Sequence, residues 1–380
     1  MNIIIAPDSY KECLTSIEVA DLLEQGFQKV FPDAFYWKFP LSDGGEGFAD
    51  ILVRSTGGSF IDCSVHDPLM KKIKIRVGVS GKDNTAIIEM ASASGLHLVP
   101  KSQRNPMFTT TFGTGELIKT ALDKGFRKFV IGIGGSATTD GGIGAIQALG
   151  GKFLDKNGDD IPLGGIGLKS LTKFDLSNLD KRISECSFII AYDVNNPLTG
   201  EHGAAGTFSR QKGADNEEIE FLEKYLINYA NMLEEFVDTD MNTIPGSGAA
   251  GGLGAAFYAF LKAELRSGIE LVLEATDLKS YLQKADIVIT GEGEMDSQTV
   301  FGKVPFGVLK FAEKFKIPVV SICGNIKGDK QDFIDLGFSD VTGIVSDSIS
   351  KQKAIKEVHK LLPETAKNIA LKMREKKRVQ

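Results

Sequence analysis

Cysteine and histidine are scarce in this chain, four of each, and they are scattered. Cys13, Cys63, Cys186 and Cys323 form no C-x-x-C pair, and His66, His97, His202 and His359 lie equally far apart. Such spacing argues against a zinc site or a disulfide framework and for reduced thiols in a cytosolic protein. The G-x-x-x-x-G-K-[ST] pattern is also missing, which excludes a P-loop nucleotide binder. No stretch approaches the ~18 unbroken apolar residues of a membrane span. The start, Met-Asn-Ile-Ile-Ile-Ala-Pro-Asp, has neither the basic beginning nor the cleavage site of a secretory signal, so a cytoplasmic protein is expected. There is no internal repeat and no low-complexity tract. The net charge of -6 implies no strongly basic face, which argues against a general nucleic-acid binder.

Glycine, by contrast, is abundant. The chain has 42 among 380 residues, about 11% against a usual ~7%, so many backbone positions lie in tight turns or close to a ligand. A length of 380 residues favours two domains over one core. Ile3-Ile4-Ile5-Ala6 reads as a strand buried on both faces, running out into Pro7-Asp8-Ser9. Thr15 and Glu18 form a capping box, and Ile17, Ala20, Leu23, Phe27 and Val30 share one helical face behind it. A second strand near 36–40 empties into a glycine-rich turn, and a helix follows. This opening is that of a parallel, helix-covered sheet. From about 59 to 98 the texture changes: Lys72-Ile73-Lys74-Ile75-Arg76-Val77 alternates strictly and reads as antiparallel ribbon. Near the end, 285–290 and 317–322 again read as parallel strands with a helix between them. The expected fold is therefore α/β, with one parallel-sheet domain built from both chain ends, 1–66 and 280–380. Residues 67–279 form an inserted second α/β domain containing mixed or antiparallel sheet. A cleft between two such domains is a common place for a ligand.

The segment richest in chemistry is Gly-Ile-Gly-Gly-Ser-Ala-Thr-Thr-Asp-Gly-Gly (132–142), which follows a strand and precedes a helix. Glycines let a backbone approach an anion, and N–H groups at a helix start point towards it; Ser136, Thr138 and Thr139 add hydroxyl donors. Phosphate binding is the expectation, against a plain strand–helix turn with capping hydroxyls. Gly132, Gly134 and Ala137 also match the G-x-G-x-x-[G/A] spacing of dinucleotide folds. The acidic residue wanted ~20 positions on falls instead in the turn-like run 154–160, so that fingerprint fails in its own context. Acids stand at the ends of apolar strands, where α/β sites gather: Asp8, Asp43 with Glu46, Asp193, and Glu292 with Asp296. One such loop acid is usually a turn former or a helix cap. Repeated at four strand ends amid glycines, they suit phosphoryl transfer, which needs carboxylates for Mg2+ or a proton and cations or amides for phosphate charge. Residues 245–254 offer a further glycine-rich helix start, read evenly as tight packing or ligand contact. Lys303 follows the 291–299 loop, within reach of an anion, and Thr109–Glu116 is a hydroxyl-rich helix start.

Six motifs in order carry a resemblance: Ala-Pro-Asp-Ser-Tyr-Lys (6–11), Asp-Gly-Gly-Glu-Gly (43–47), Gly-Ile-Gly-Gly-Ser-Ala-Thr (132–138), Asp-Val-Asn-Asn-Pro-Leu (193–198), Gly-Ala-Ala-Gly-Gly-Leu-Gly-Ala-Ala (248–256) and Gly-Glu-Gly-Glu-Met-Asp-Ser-Gln-Thr (291–299). From about 1 to 370 the chain resembles the bacterial glycerate kinases of glyoxylate and sugar-acid breakdown. The resemblance implies a Rossmann-like domain carrying a second α/β domain. It also implies phosphotransfer from ATP, with Mg2+, to glycerate, most often giving 2-phosphoglycerate. On that footing Gly134, Gly135, Ser136 and Thr138 would hold nucleotide phosphate, and Glu292 and Asp296 would bind Mg2+. Asp193, Lys11 and Asp8 would be catalytic, with Asp193 as base; Ser9, Asp43, Asn195 and Lys303 would bind substrate. Sequence alone leaves Asp193 and Lys11 exchangeable with Asp8 and Lys303. No nucleic-acid or membrane partner is expected.

Two departures stand out. Relatives tend to carry a basic residue where this chain has Glu294, and often Phe-Gly-Pro-Gln-Lys-Gly-Ala where it has Phe208-Ser209-Arg210-Gln211-Lys212-Gly213-Ala214. Arg210 could therefore supply an anion contact of its own. Two rival readings accompany the kinase: an NAD(P)-dependent hydroxy-acid oxidoreductase, from the G-x-G-x-x-A spacing, and a non-catalytic sugar-acid sensor. The sensor would be expected to lack the strand-end acids, which are all present.

Overall fold

The structure, a computed structural model, describes residues 1–10, 13–42, 44–296, 299 and 303–379, with side chains as far as Glu375. The chain divides into two compact units, Met1–Asp43 with Ile269–Gln380, and Gly44–Gly268.

The first unit is built on a five-stranded sheet in the order Asp340–Gly343, Val319–Cys323, Ile287–Thr290, Asn2–Ile5, Phe35–Lys38. Every pairing is parallel, with Ile4 opposite both Val288 and Trp37. The three central strands are apolar runs because helices cover both faces; Ile3, Ile5, Ile289 and Ile322 are fully buried. The helix Ser16–Gln28 starts at the expected capping box, with Thr15 and Glu18 satisfying each other's backbone N–H groups. It buries Val19, Leu23 and Phe27 in the core that also holds Leu362 and Ala366 of the helix Val358–Val379. Each such fully buried Leu or Phe contributes about 1.5–3 kcal/mol.

The second unit is built on a mixed six-stranded sheet: Glu264–Ser267, Ser187–Tyr192, Lys128–Gly132, Thr85–Glu89, Lys72–Val79, Ser59–His66. Pairing is parallel through the first four strands and antiparallel in the last two steps. The alternating run 72–77 is thus the outer ribbon it reads as, and Thr85–Glu89 joins that ribbon to the parallel part. Stacked rings of Phe129 and Phe188, 4.8 Å apart, mark its core beside Ile88, Ile131 and Ile190.

The second unit is shifted from the expected 67–279. At its start, Ser59–His66 pairs along its full length with Lys72–Val79, and a Cβ on Gly78 would stand 2.6 Å from the Val53 side chain of the preceding helix. Both elements therefore go with the second sheet. At its end, Ile269 packs against Gly307 of the first unit. Among the described residues no helix is long and apolar enough to cross a membrane, and all four cysteines are free.

Candidate active site

The first unit gathers acids where its central strands run out. Beyond Asn2–Ile5 and Ile287–Thr290 the two segments stay paired: Ala6 N donates to Ile289 O at 2.7 Å and Asp8 N to Gly291 O at 2.8 Å. Asp8 is buried and accepts from Ser9 N at 2.6 Å. Glu292, only 6% exposed, accepts from Thr299 Oγ1 at 2.7 Å. The Lys303 ammonium then lies 3.5 Å from Glu292 and 3.2 Å from Asp296. Lys303 stands immediately before the helix Val304–Glu313, where the helix dipole disfavours a cation; the two carboxylates offset that. Asp8, Ser9, Glu292, Asp296 and Lys303 are thus brought to one end of one sheet. Lys11 lies outside the described residues. Tyr10 is buried there and donates to Ile322 O at 2.7 Å. Burial, then Cys323 and Glu292, push its phenol well above its ordinary range.

Glu294, expected from the resemblance to stand where relatives carry a basic residue, faces two lysines. Lys327 lies at 2.6 Å and Lys351 at 2.9 Å, and Asn325 also donates to it at 2.9 Å. Burial works to raise this carboxyl, but the bonds from Lys327, Asn325 and Lys351 win and hold it down at about 2. The acid thus has its own local partners within the same unit.

The second unit folds four of the six motifs onto one another. Gly134 N donates to Gly44 O at 3.0 Å. A Cβ on Gly134 would stand 2.8 Å from Gly45 Cα and 3.0 Å from Asp193 Oδ2, so only glycine lets the 44–45 backbone and this carboxylate come so close. The loop is pinned on its far side by Asp140, which is fully buried and accepts from Thr111 N (2.8 Å), Thr111 Oγ1 (2.9 Å), Thr110 Oγ1 (3.2 Å) and Gly142 N (3.1 Å). Burial still pushes its carboxyl up, against those bonds. This explains the hydroxyl-rich run at 109–111: it is the clasp of the loop as well as the start of the helix Phe112–Asp123. Residues 248–252 close the other side. Gly141 N donates to Gly251 O and Gly248 N to Asn196 O, both at 3.0 Å.

Within this cluster Gly134, Gly135, Ser136, Thr138 and Asp193 lie together; Ser136 and Thr138 are buried. Asn195 is exposed, two residues beyond Asp193. Asp43 lies outside the described residues. Arg210 is exposed and its guanidinium donates to Asn216, so its described contact is with the adjacent helix. Sequence reading passes over two residues here. Asp140 stands out in sequence only as part of a glycine loop. Lys212 is 2% exposed and its Nζ donates to Thr138 O at 2.6 Å. Burial pulls this ammonium down to about 7, against the attraction of Asp140 and Asp193. The one sequence signal for it is its place in Gln211-Lys212-Gly213-Ala214, a run without periodicity.

Fold and site together define an α/β enzyme with acids and glycine loops at the carboxyl ends of parallel strands. The comparisons narrow this. A model described as the glycerate kinase family matches residues 3–374. A glycerate kinase of Bacillus subtilis is 46% identical over 370 residues, 97% of each chain. A glycerate 2-kinase of Escherichia coli K12 is 48% identical over 348 residues, 90% of this chain and 91% of the relative. The crystal structure of a glycerate kinase 2 from Salmonella typhimurium LT2 is 46% identical, with a TM-score of 0.79, covering 100% of this chain and 99% of that one. The chain belongs to the glycerate kinase family, and its relatives are phosphotransferases.

Proposed function

We propose that the chain transfers the terminal phosphoryl group of ATP to the 2-hydroxyl of D-glycerate, giving 2-phosphoglycerate, in the breakdown of glyoxylate and sugar acids in the cytoplasm. The observation that carries this reading is the apposition of Asp193 to the glycine loop, its Oδ2 only 3.0 Å from where a Gly134 Cβ would be. A candidate base thus stands beside backbone suited to phosphate. The 2-hydroxyl is favoured by the name of the Escherichia coli relative, a glycerate 2-kinase.

Transfer is in line and forms no covalent enzyme intermediate. Gly134, Gly135, Ser136 and Thr138 hold phosphate oxygens. Asp193 takes the proton of the attacking hydroxyl as its oxygen bonds to the terminal phosphorus; the bond from that phosphorus to the bridging oxygen breaks and ADP leaves. Asp8 and Lys11 serve the same chemistry as carboxylate and cation. Ser9, Asp43, Asn195 and Lys303 bind the substrate's hydroxyl and carboxylate groups.

Among the described residues no cluster of three or more His, Cys, Asp or Glu could hold a metal, so a tightly caged ion is not the fit. Mg2+ asks for less, one or two carboxylates and several waters. Glu292 and Asp296 already converge on one cation, the Lys303 ammonium, and supply hard oxygen ligands. Bound by them, Mg2+ would neutralise phosphate charge.

The test is ADP formation from ATP and Mg2+ with and without D-glycerate. Wild-type chain is expected to form ADP only with glycerate, and Asp193→Asn to lose ~10²–10⁴-fold in kcat, as removal of a general base does. A loss below about tenfold would remove Asp193 from the base role, and glycerate-independent turnover would contradict the reading.

A further inference from the structure

Lys212 has no task in the mechanism above, yet it is one of the most costly placements in the second unit. A buried ammonium is tolerated when it is paired and its donors are satisfied. Among the described residues this one makes a single hydrogen bond, to the carbonyl of Thr138, which uses one of its three N–H groups. Nor, among the described residues, does it form a salt bridge to a carboxylate. Asp140 has its oxygens engaged by Thr110, Thr111 and Gly142. Asp193, at the end of Ser187–Tyr192, attracts it. From the helix Asn216–Val237, Tyr229 faces Asp140 as a neutral phenol.

A second observation is independent of the lysine. The hydroxyl of Thr138, the residue whose carbonyl Lys212 holds, is fully buried and without a hydrogen-bond partner among the described residues, as is that of Ser247. Native structures leave few such groups unsatisfied, and each costs about 1–3 kcal/mol. A lysine serving only to tie down the loop would leave both facts unexplained, because a neutral donor could make the same bond at lower cost. An anion satisfies both: it supplies the opposite charge that burial has withheld and accepts from the idle donors.

We propose that the Lys212 ammonium and the Thr138 hydroxyl form an anion-binding pair that takes an oxygen of the phosphoryl group being transferred. This rests on the phosphotransfer reading above and adds to it the cation that meets the developing charge within the glycine loop. Because Lys212 in the free protein gives up its proton near neutrality, arrival of the anion draws the proton back. Nucleotide binding is therefore coupled to proton uptake.

The experiment measures protons exchanged when the β,γ-imido analogue of ATP, with Mg2+, binds the full chain at pH 7.5. Calorimetry in two buffers of different ionisation enthalpy gives the number, for wild type, Lys212→Met and Lys212→Arg. Wild-type turnover of glycerate is assayed first: if it is absent, the phosphotransfer reading fails, whatever the calorimetry shows. With turnover present, wild type is expected to take up roughly three-quarters of a proton per site, the share of a group titrating at about 7 that is neutral at pH 7.5. Lys212→Met should lose the uptake and at least ~10²-fold in kcat, as loss of a charge-stabilising donor does. Lys212→Arg, always charged, should lose the uptake and retain more activity than Lys212→Met. An active wild type with no uptake overturns the inference without any variant. So does a folded Lys212→Met with the same uptake or with kcat within about tenfold of wild type.

Discussion

Glu89 shows how one side chain can hold a motif in place at a cost. It ends the strand Thr85–Glu89 and accepts from Gly47 N at 3.1 Å and Ala49 N at 3.3 Å, at the start of the helix Phe48–Thr56. A carboxylate belongs at a helix N-terminus. Burial nevertheless pushes it from 4.5 up to about 7; the Ala49 and Gly47 bonds oppose this, and Asp50 and Glu46 add to it. The folded chain thus keeps this proton at pH values where the unfolded chain has released it. Its contribution to stability falls as the pH rises from about 4.5 to about 7 and is flat above that. Glu89→Gln removes this dependence. Thermal unfolding at pH 5 and pH 8 should show wild type losing ground to the variant at the higher pH, by at most about 3 kcal/mol; an unchanged difference would contradict the assignment. Residues like this are illegible in sequence because burial and distant partners set their behaviour. Asp193, Glu292 and Asp296 can be picked out as candidates, since an acid after an apolar run amid glycines is a local pattern. Lys212 could not, since nothing near it in sequence shows that its ammonium is buried beside Thr138.

At the scale of elements, the informative piece is the start of the helix Ala249–Leu261. Ala250, Gly251 and Gly252 all have left-handed backbones, with φ of 54°, 68° and 96°, before the helix proper runs on. Gly251 is needed twice over: its φ is unfavourable for an L side chain, and a Cβ there would collide with the Thr138 carbonyl. That carbonyl is the one Lys212 holds, so the 248–252 turn and the glycine loop shape each other. Gly251→Ala should destabilise the chain by more than about 1 kcal/mol and lower activity beyond what the stability loss explains. Unfolding and kcat measured on the same preparation check this; full activity in a destabilised protein would uncouple the turn from the loop. Sequence reading divided evenly between packing and ligand contact for 245–254, and the described contacts are packing of loop on loop. The capping box at Thr15 and Glu18 was readable outright, because that device lies within four consecutive residues.

For the whole molecule, parallel strands buried on both faces announce themselves as short apolar runs, and the two chain ends share that texture. The sheet joining Asn2–Ile5 to Ile287–Thr290 follows from it. The unit boundaries were less legible. Ser59–His66 has an alternating burial pattern, but the helix before it carries no mark of which sheet it serves until Val53 is seen against Gly78. The six motifs then tie the halves to one family, and family membership and the strand-end acids support the proposed product, 2-phosphoglycerate. Its most direct test is to incubate the chain with D-glycerate, ATP and Mg2+, quench, and add enolase alone to half of the mixture. Phosphoenolpyruvate formed without a mutase is the predicted result, since it requires 2-phosphoglycerate. ADP that accumulates with glycerate but yields no phosphoenolpyruvate would contradict transfer to the 2-hydroxyl, and no glycerate-dependent ADP at all would contradict the proposed reaction.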